Sequence, residues 1–312
     1  MDGAVTTALA ERLGEHFGGR ARANEPLSRH TSFRIGGPAD VWVEVETVEE
    51  IATLYRLAAE APTPILVFGS GTNVLVSDRG IRGIVIKLGR AFAALEWRAN
   101  GGGTHVRAGA ALTFKRLVTE AARRGLSGLE FAEGIPGSVG GGLLMNAGAF
   151  GGEIATVVDG VAGVEAAAGA RYLQRADLRF GYRFFELPPS FVVTHVDFLL
   201  LSGDAETIRA RMSDAKRRRE SRQPLGWPNA GSIFKNPPGT FAGKLIEAAG
   251  LKGRRIGDAM ISDQHANFII NVGRAAAADV KRLMEEVQTA VEQRHGIRLV
   301  PEIKLMGDWR TM

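Results

Sequence analysis

The chain has 312 residues, enough for two or three domains, and with 45% hydrophobic and 23% charged residues it reads as an ordinary soluble globular protein. It contains no cysteine, which excludes a disulfide scaffold, a Cys-ligated zinc site, an iron–sulfur cluster and a thiol nucleophile. A net charge of +5 suits anionic small ligands or nucleic acid, but only 7% of residues are aromatic and none interleaves with the densest basic run, Lys216–Arg219, which reads as a solvated helix face. Met1 to Arg20 holds Asp2, Glu11 and Glu15 and no apolar stretch of signal-peptide length. No apolar run approaches the roughly 20 residues that span a bilayer, so a cytoplasmic protein without membrane insertion is expected. Glycine is the outlier, at 40 residues.

The first half reads as short strands joined by Gly-rich loops. Val41–Glu46 alternates as a strand, and a helix follows from Val48, with Thr47 and Glu50 spaced as a capping box. Ile65–Phe68 and Ile84–Leu88 have the composition of buried strands. Asn100-Gly-Gly-Gly103 predicts a hairpin between Leu95–Arg98 and Thr104–Ala108. Phe114–Arg124 predicts a helix ended by Gly125. Strands are expected at Val157–Ala166 and Phe191–Leu201, then a helix capped by Asp204 and reaching about Arg222. A composition shift places a domain boundary near 203. Beyond it, Phe241–Ala249 predicts a helix with Thr240 as cap and Gly250 as stop, and Asn267–Val272 a strand. Val280, Leu283, Met284, Val287 and Val291 form the core-facing stripe of a last helix. Ile297–Val300 and Ile303–Met306 predict a final strand interrupted by Pro301.

Three segments carry candidate chemistry. Gly69-Ser-Gly-Thr-Asn73 follows a strand as a dinucleotide loop would, but Val74 stands where a third glycine is needed and Val74-Leu-Val76 looks like a strand. It is either a tight turn or a loop whose bare N–H groups cradle a diphosphate without a helix. Glu133 to Glu153 holds eight glycines in 21 residues. It cannot be regular throughout, so its backbone lies against a flat or phosphate-bearing ligand or turns repeatedly. Asn229-Ala-Gly-Ser-Ile-Phe-Lys-Asn-Pro237 offers Ser232, Lys235 and Asn236 within five residues. In an extended chain Ser232 and Asn236 share a face opposite Lys235. No histidine lies within this segment to activate Ser232, which disfavours a nucleophile role and leaves proton donation open. Gly239–Leu245 superficially suggests a P-loop but lacks its spacing and its hydroxyl, and the six histidines show no metal-ligand spacing.

Taken in order, these motifs resemble the UDP-N-acetylenolpyruvoylglucosamine reductases. The matching segments are His30–Asp40, Gly69–Val76, Gly128–Glu153, Phe180-Gly-Tyr-Arg183, Gln223-Pro224, Asn229–Pro237, Leu251-Lys-Gly253 and Pro301-Glu302, spanning about 24 to 307. The resemblance implies an α+β fold. An FAD-binding domain of the vanillyl-alcohol-oxidase (PCMH) type would cover 1–203, in two lobes at about 20–90 and 91–203. A smaller α+β substrate domain would cover 204–312, with its last strand returning to the first domain. It implies non-covalent FAD, NADPH as co-substrate, UDP-N-acetylenolpyruvoylglucosamine as substrate, and no obligate protein partner. By resemblance Ser232 donates the proton, while Arg183 and Glu302 sit at the substrate carboxylate. FAD contacts are expected at Gly69, Ser70, Gly71, Thr72 and Asn73, and at Gly134, Ile135, Pro136, Gly137, Ser138, Gly141, Asn146, Gly148 and Gly152. Arg222 matches a basic position that meets the UDP diphosphate, and Tyr182, Lys235, Asn236, Gln264 and His265 are further substrate candidates.

Two departures stand out. Phe184-Phe185-Glu186 replaces a segment that carries a serine in many members, and the tyrosines are confined to 55, 172 and 182. The chain therefore looks like the shorter type that lacks a tyrosine loop closing over the substrate. An FAD oxidase or dehydrogenase of the same cofactor fold is the competing reading. It would keep the Gly-rich segments but need not keep Ser232, Arg183 and Glu302.

Overall fold

A computed structural model describes residues 3–60 and 62–310. Its first sheet runs Ala21–Pro26, Pro38–Val45, Ile81–Leu88, Ile65–Phe68, with the first pair antiparallel and the others parallel. Period-two alternation buries both faces, as a largely parallel sheet requires. Val41, Val43, Val45, Ile84 and Ile86 point to one side, where the helix Val48–Glu60 packs Ile51, Leu54 and Leu57. Trp42 and Val85 point to the other, against Leu27, Phe68 and Val76. Thr47 caps that helix as expected, its hydroxyl accepting from the Glu50 N–H at 3.2 Å. The Glu50 carboxylate accepts from the Glu46 N–H and holds Arg20, and its pKa is drawn down by Arg20 first and also by the Thr47 N–H, the reciprocal contact of the capping box.

The second sheet is antiparallel, in the order Gly169–Gln174, Val158–Glu165, Phe191–Ser202, Gly103–Gly109, Leu95–Asn100, with Leu126–Ser127 also on the long strand. Gly101 and Gly102 make its hairpin turn. A helix at Phe114–Arg123 is capped by the Thr113 hydroxyl. Asp204 caps Ala205–Arg222, accepting from the Thr207 N–H at 2.7 Å. That long helix carries Ile208 into the interior and packs on the turn at Glu130–Ala132.

A separate core joins Ala242–Ala248, Ala277–His295 and a small sheet of Arg255–Ile256, Ala259–Ile261 and Ile269–Asn271, with Phe33, Ile35, Leu75 and Ile303 contributed from elsewhere in the chain. All five residues of the expected stripe are buried, and Gly296 ends the last helix at φ 66°. Lys304–Met306 pairs in parallel with Val74–Val76.

Two expectations fail here for local reasons. Residues 297–300 do not form a strand, because the chain meets 233–235 only through a single bridge between Phe234 and Pro301. Pro301 has no N–H to extend a ladder. The helix predicted at Phe241 starts at Ala242, and its cap is not Thr240: Asn236 reaches back over the Pro237–Gly239 turn, and its Oδ1 accepts from the Ala242 N–H at 3.0 Å.

Candidate active site

The loop 69–73 leads from strand Ile65–Phe68 into strand Val74–Val76 rather than into a helix. Its N–H groups are thus free of a helical ladder, as the sequence suggests. Gly71 has φ 65°, and a Cβ there would lie 2.1 Å from the His30 carbonyl oxygen, so the close approach is to the protein's own chain. The second Gly-rich segment comes alongside. The Thr72 hydroxyl donates to the Pro136 carbonyl at 3.4 Å, and an added Cβ at Gly137 would sit 3.0 Å from Thr72 Oγ1. Ser138 caps a short helix, Val139–Leu144, by accepting from the Gly141 N–H at 3.3 Å. Gly69, Ser138, Gly140, Gly141 and Leu144 line a cleft between the two sheets.

Lys87 lines the same cleft and was not picked out from the sequence. Its ammonium donates to the Gly69 carbonyl at 2.6 Å, and burial pushes its pKa below the usual lysine range. Its strand position, flanked by apolar neighbours, gives no sign of that role.

The other end of the Gly-rich segment serves packing. Gly148 pairs with Glu153 and Gly152 with Ala149 in a two-residue ladder, and an added Cβ at Gly152 would lie 2.6 Å from the Phe131 ring. Asn146 is 1% exposed, and both ends of its amide are used. Its Oδ1 accepts from the Ala155 N–H at 3.1 Å and its Nδ2 donates to the Gly181 carbonyl at 3.0 Å. The structure therefore places Asn146 under the turn that carries Arg183, with its side chain committed to backbone.

Arg183 occupies the tip of the tiny hairpin Phe180–Gly181/Phe184–Phe185, at φ 56°, an uncommon conformation for a non-glycine residue. Its Nε donates to Glu302 Oε1 at 2.9 Å across 119 residues of sequence. Phe184 and Phe185 complete the hairpin, Phe185 stacking on Phe180 at 4.5 Å, so this segment supports the turn by packing. Tyr182 is half exposed, its ring 5.3 Å from the Arg183 guanidinium carbon.

Glu302 is tied to both neighbouring segments. Its N–H donates to the Ile233 carbonyl at 2.8 Å, one residue after Ser232, and its own carbonyl accepts from Asn73 Nδ2 at 3.3 Å. Burial raises the Glu302 pKa, while Arg183 and then Lys235 oppose the shift. The Asn73 loop, the Ser232 segment, Arg183, Lys235 and Glu302 thus converge. Ser232 is half-buried, and among the described residues its hydroxyl has no hydrogen-bond partner.

Arg222 ends the helix Ala205–Arg222 and is exposed. Gln264 Nε2 donates to the Ser221 carbonyl at 3.4 Å, which brings Gln264 and His265 beside Arg222. Burial lowers the His265 pKa, and its Nδ1 accepts from the Asn267 N–H at 3.2 Å. Among the described residues no group of acidic and histidine side chains is arranged to hold a metal, and no helix is long and apolar enough to cross a membrane.

Two family models match the chain: the UDP-N-acetylenolpyruvoylglucosamine reductase C-terminal domain over residues 223–306, and an FAD binding domain over 39–171. UDP-N-acetylenolpyruvoylglucosamine reductase 2 of Symbiobacterium thermophilum is 48% identical over 302 residues, covering 96% of this chain and 97% of the relative. The reductase of Geobacter metallireducens is 44% identical, covering 96% and 98%. The crystal structure of the Thermus caldophilus reductase superposes with a TM-score of 0.78 at 39% identity, covering 90% of this chain and 97% of that one. The expected fold, an FAD-binding domain of the vanillyl-alcohol-oxidase type with a smaller α+β domain, is therefore the fold of this protein. The cleft suits that cofactor: the bare backbone of Gly69, Gly140 and Gly141 borders it, between apolar walls from Val67, Leu144 and Val193. The chain belongs to the UDP-N-acetylenolpyruvoylglucosamine reductase family.

Proposed function

We propose that this protein reduces the enolpyruvyl ether of UDP-N-acetylenolpyruvoylglucosamine to UDP-N-acetylmuramate, in peptidoglycan precursor synthesis, using FAD and NADPH. The observation that carries this reading is the Arg183–Glu302 pair, fixed at 2.9 Å and hydrogen-bonded through Glu302 to both the Asn73 loop and the Ser232 segment. Bound FAD supplies a two-electron carrier, able to take hydride from NADPH and give it to the methylene carbon of the enolpyruvyl group.

The protein's residues handle the charge and the proton. Hydride addition to an unsaturated carboxylate builds negative charge on the carboxylate side, and a fixed guanidinium there is worth most in the transition state. Glu302 holds Arg183 in place by its Nε, which leaves the two terminal nitrogens to face the substrate carboxylate. Ser232 donates its proton to the adjacent carbon, and the product is the saturated lactyl ether. A serine hydroxyl is a weak acid, but it needs only to protonate a strongly basic carbon. Lys235, beside Glu302, stabilises the serine oxygen as the proton leaves.

Arg222 meets the UDP diphosphate, with Gln264, His265, Asn236 and Tyr182 around the nucleotide and sugar. Asn236 does this with Nδ2, since its Oδ1 caps a helix. In this account residues up to about 203 hold the cofactor, residues beyond it hold the substrate, and the reaction runs in the cytoplasm, where NADPH and the nucleotide sugar are found. The test is direct. The purified protein should release FAD on acid denaturation, and with NADPH it should convert UDP-N-acetylenolpyruvoylglucosamine to a product two mass units heavier. Flavin reduction by NADPH without any reoxidation by this substrate would sink the assignment and favour an FAD enzyme of another specificity.

A further inference from the structure

Arg219 is a buried cation with no acid to pair with. It is 9% exposed, and among the described residues no carboxylate lies within ion-pair distance of it. Its Nε donates to the Glu133 carbonyl at 3.3 Å and its Nη1 to Gln223 Oε1 at 3.2 Å, both neutral acceptors, and its Nη2 has no partner. Its neighbours on the helix differ: Arg217 and Arg218 are exposed and pair with Asp214. Arginine is rarely this buried unless paired, because an uncompensated charge away from water is costly. Burial accordingly lowers the Arg219 pKa, with Glu133 offering only a distant opposing field.

The surroundings show what the guanidinium is turned toward. Gly134 lies flat on its stem: an added Cβ there would sit 3.0 Å from Cδ and 3.1 Å from Nε. The Phe150 ring lies 5.7 Å from the guanidinium carbon. Arg219 is therefore built into the back of the Gly-rich loop 133–138, whose other end meets Thr72 at the cofactor cleft. A donor left unsatisfied beside a bare backbone loop fits an anion arriving with a ligand.

We propose that Arg219 donates from Nη2 to a phosphate oxygen of a diphosphate-bearing ligand seated on the Glu133–Ser138 loop. This rests on the function proposed above, which supplies two such ligands, FAD and the UDP-sugar. The experiment separates them. Apoprotein carrying Arg219→Gln, Arg219→Lys or, as a control on the exposed face, Arg217→Gln would be titrated with FAD by flavin fluorescence. The FAD-loaded forms would be titrated with UDP by calorimetry. Arg219→Gln should weaken one of the two ligands by roughly 10- to 100-fold, the size of a lost charge-assisted bond. Arg219→Lys should recover part of the loss, and Arg217→Gln should match wild type. A loss confined to FAD identifies the cofactor as the ligand, and a loss confined to UDP identifies the substrate.

A merely structural arginine would behave differently on melting. The unpaired cation strains the apoprotein, so Arg219→Gln apoprotein should melt at or above the wild-type temperature while its affinity falls. Affinities within twofold of wild type for both ligands would overturn the inference, and so would an apoprotein that melts lower in step with its loss of affinity. If Arg219→Gln does not fold, wild type decides: FAD and UDP affinities both insensitive to ionic strength would rule out a cation at either diphosphate. Failure to turn over the enolpyruvyl substrate would instead touch the proposed function and leave these binding results standing.

Discussion

Arg183→Lys tests how the site recognises the carboxylate. The substitution keeps a positive charge but removes the planar fork and the Nε–H that donates to Glu302 at 2.9 Å. Both partners are largely shielded, with side-chain exposures of 22% and 14%. The lost bond is thus a charge-assisted one, worth about 1.5–3 kcal/mol. At about 1.4 kcal/mol per tenfold, that corresponds to a rate loss of roughly 10- to 150-fold if the bond holds the guanidinium where charge develops. The loss should fall on one half-reaction. In stopped-flow absorbance, NADPH should bleach the flavin of the variant at close to the wild-type rate, while substrate-driven reoxidation should slow by the stated factor. Arg183→Gly separates function from backbone strain. Glycine accepts φ 56° freely, so that variant should fold at least as well as wild type and still lose reoxidation. Full recovery of turnover with lysine, or equal slowing of both half-reactions, would refute a carboxylate-directed fork.

Three further outcomes follow from the geometry. Asn146→Gly keeps the positive φ but leaves the Ala155 N–H and the Gly181 carbonyl unpaired; it should cost about 1–3 kcal/mol for each group left unsatisfied, read as a lower melting temperature. It should also slow reoxidation while FAD stays bound, and unchanged reoxidation would detach Asn146 from the Arg183 turn. Arg222→Ala should raise the substrate KM far more than it lowers kcat, because a contact remote from the reacting carbon binds ground and transition states alike, and a pure kcat defect would show the assignment to be wrong. Glu302 has a raised pKa through burial, so its protonated form is favoured in the folded state and its contribution to stability is lost as pH rises from the usual carboxylate value of 4.5 through the raised one. Melting curves of Glu302→Gln should therefore gain on wild type as the pH rises above the usual carboxylate value of 4.5; a gain by wild type in that direction would mean that the pairing with Arg183 outweighs burial.

Much of the architecture could be read in the sequence because local rules and tertiary packing agree. Val41, Val43 and Val45 against Trp42, the stripe from Val280 to Val291, and the caps at Thr47 and Asp204 all behave as their spacing implies. The misreadings occur where a distant side chain takes over a local task. Asn236 displaces Thr240 as a cap because the Pro237–Gly239 turn brings it within reach. A side chain at Gly152 would meet the Phe131 ring, a close approach that no local pattern announces. Lys87 and Arg219 escaped notice as single residues because what sets them apart is burial without a counter-charge. That is a property of the folded surroundings, not of the residue's neighbours in sequence. The Arg183–Glu302 bond spans 119 positions and was reachable only through the family resemblance.

The account stands most directly on Ser232. Hydride transfer from NADPH to FAD needs no proton at the sugar, whereas reduction of the enolpyruvyl group does. Stopped-flow absorbance of Ser232→Ala should show FAD bound and bleached by NADPH as in wild type. Reoxidation by UDP-N-acetylenolpyruvoylglucosamine should be slowed about 100- to 10,000-fold, the usual range for removing a general acid. Ser232→Cys should restore part of that loss, since a thiol can also donate a proton. Reoxidation of the alanine variant at the wild-type rate would contradict the account and make Ser232 a residue of the loop alone.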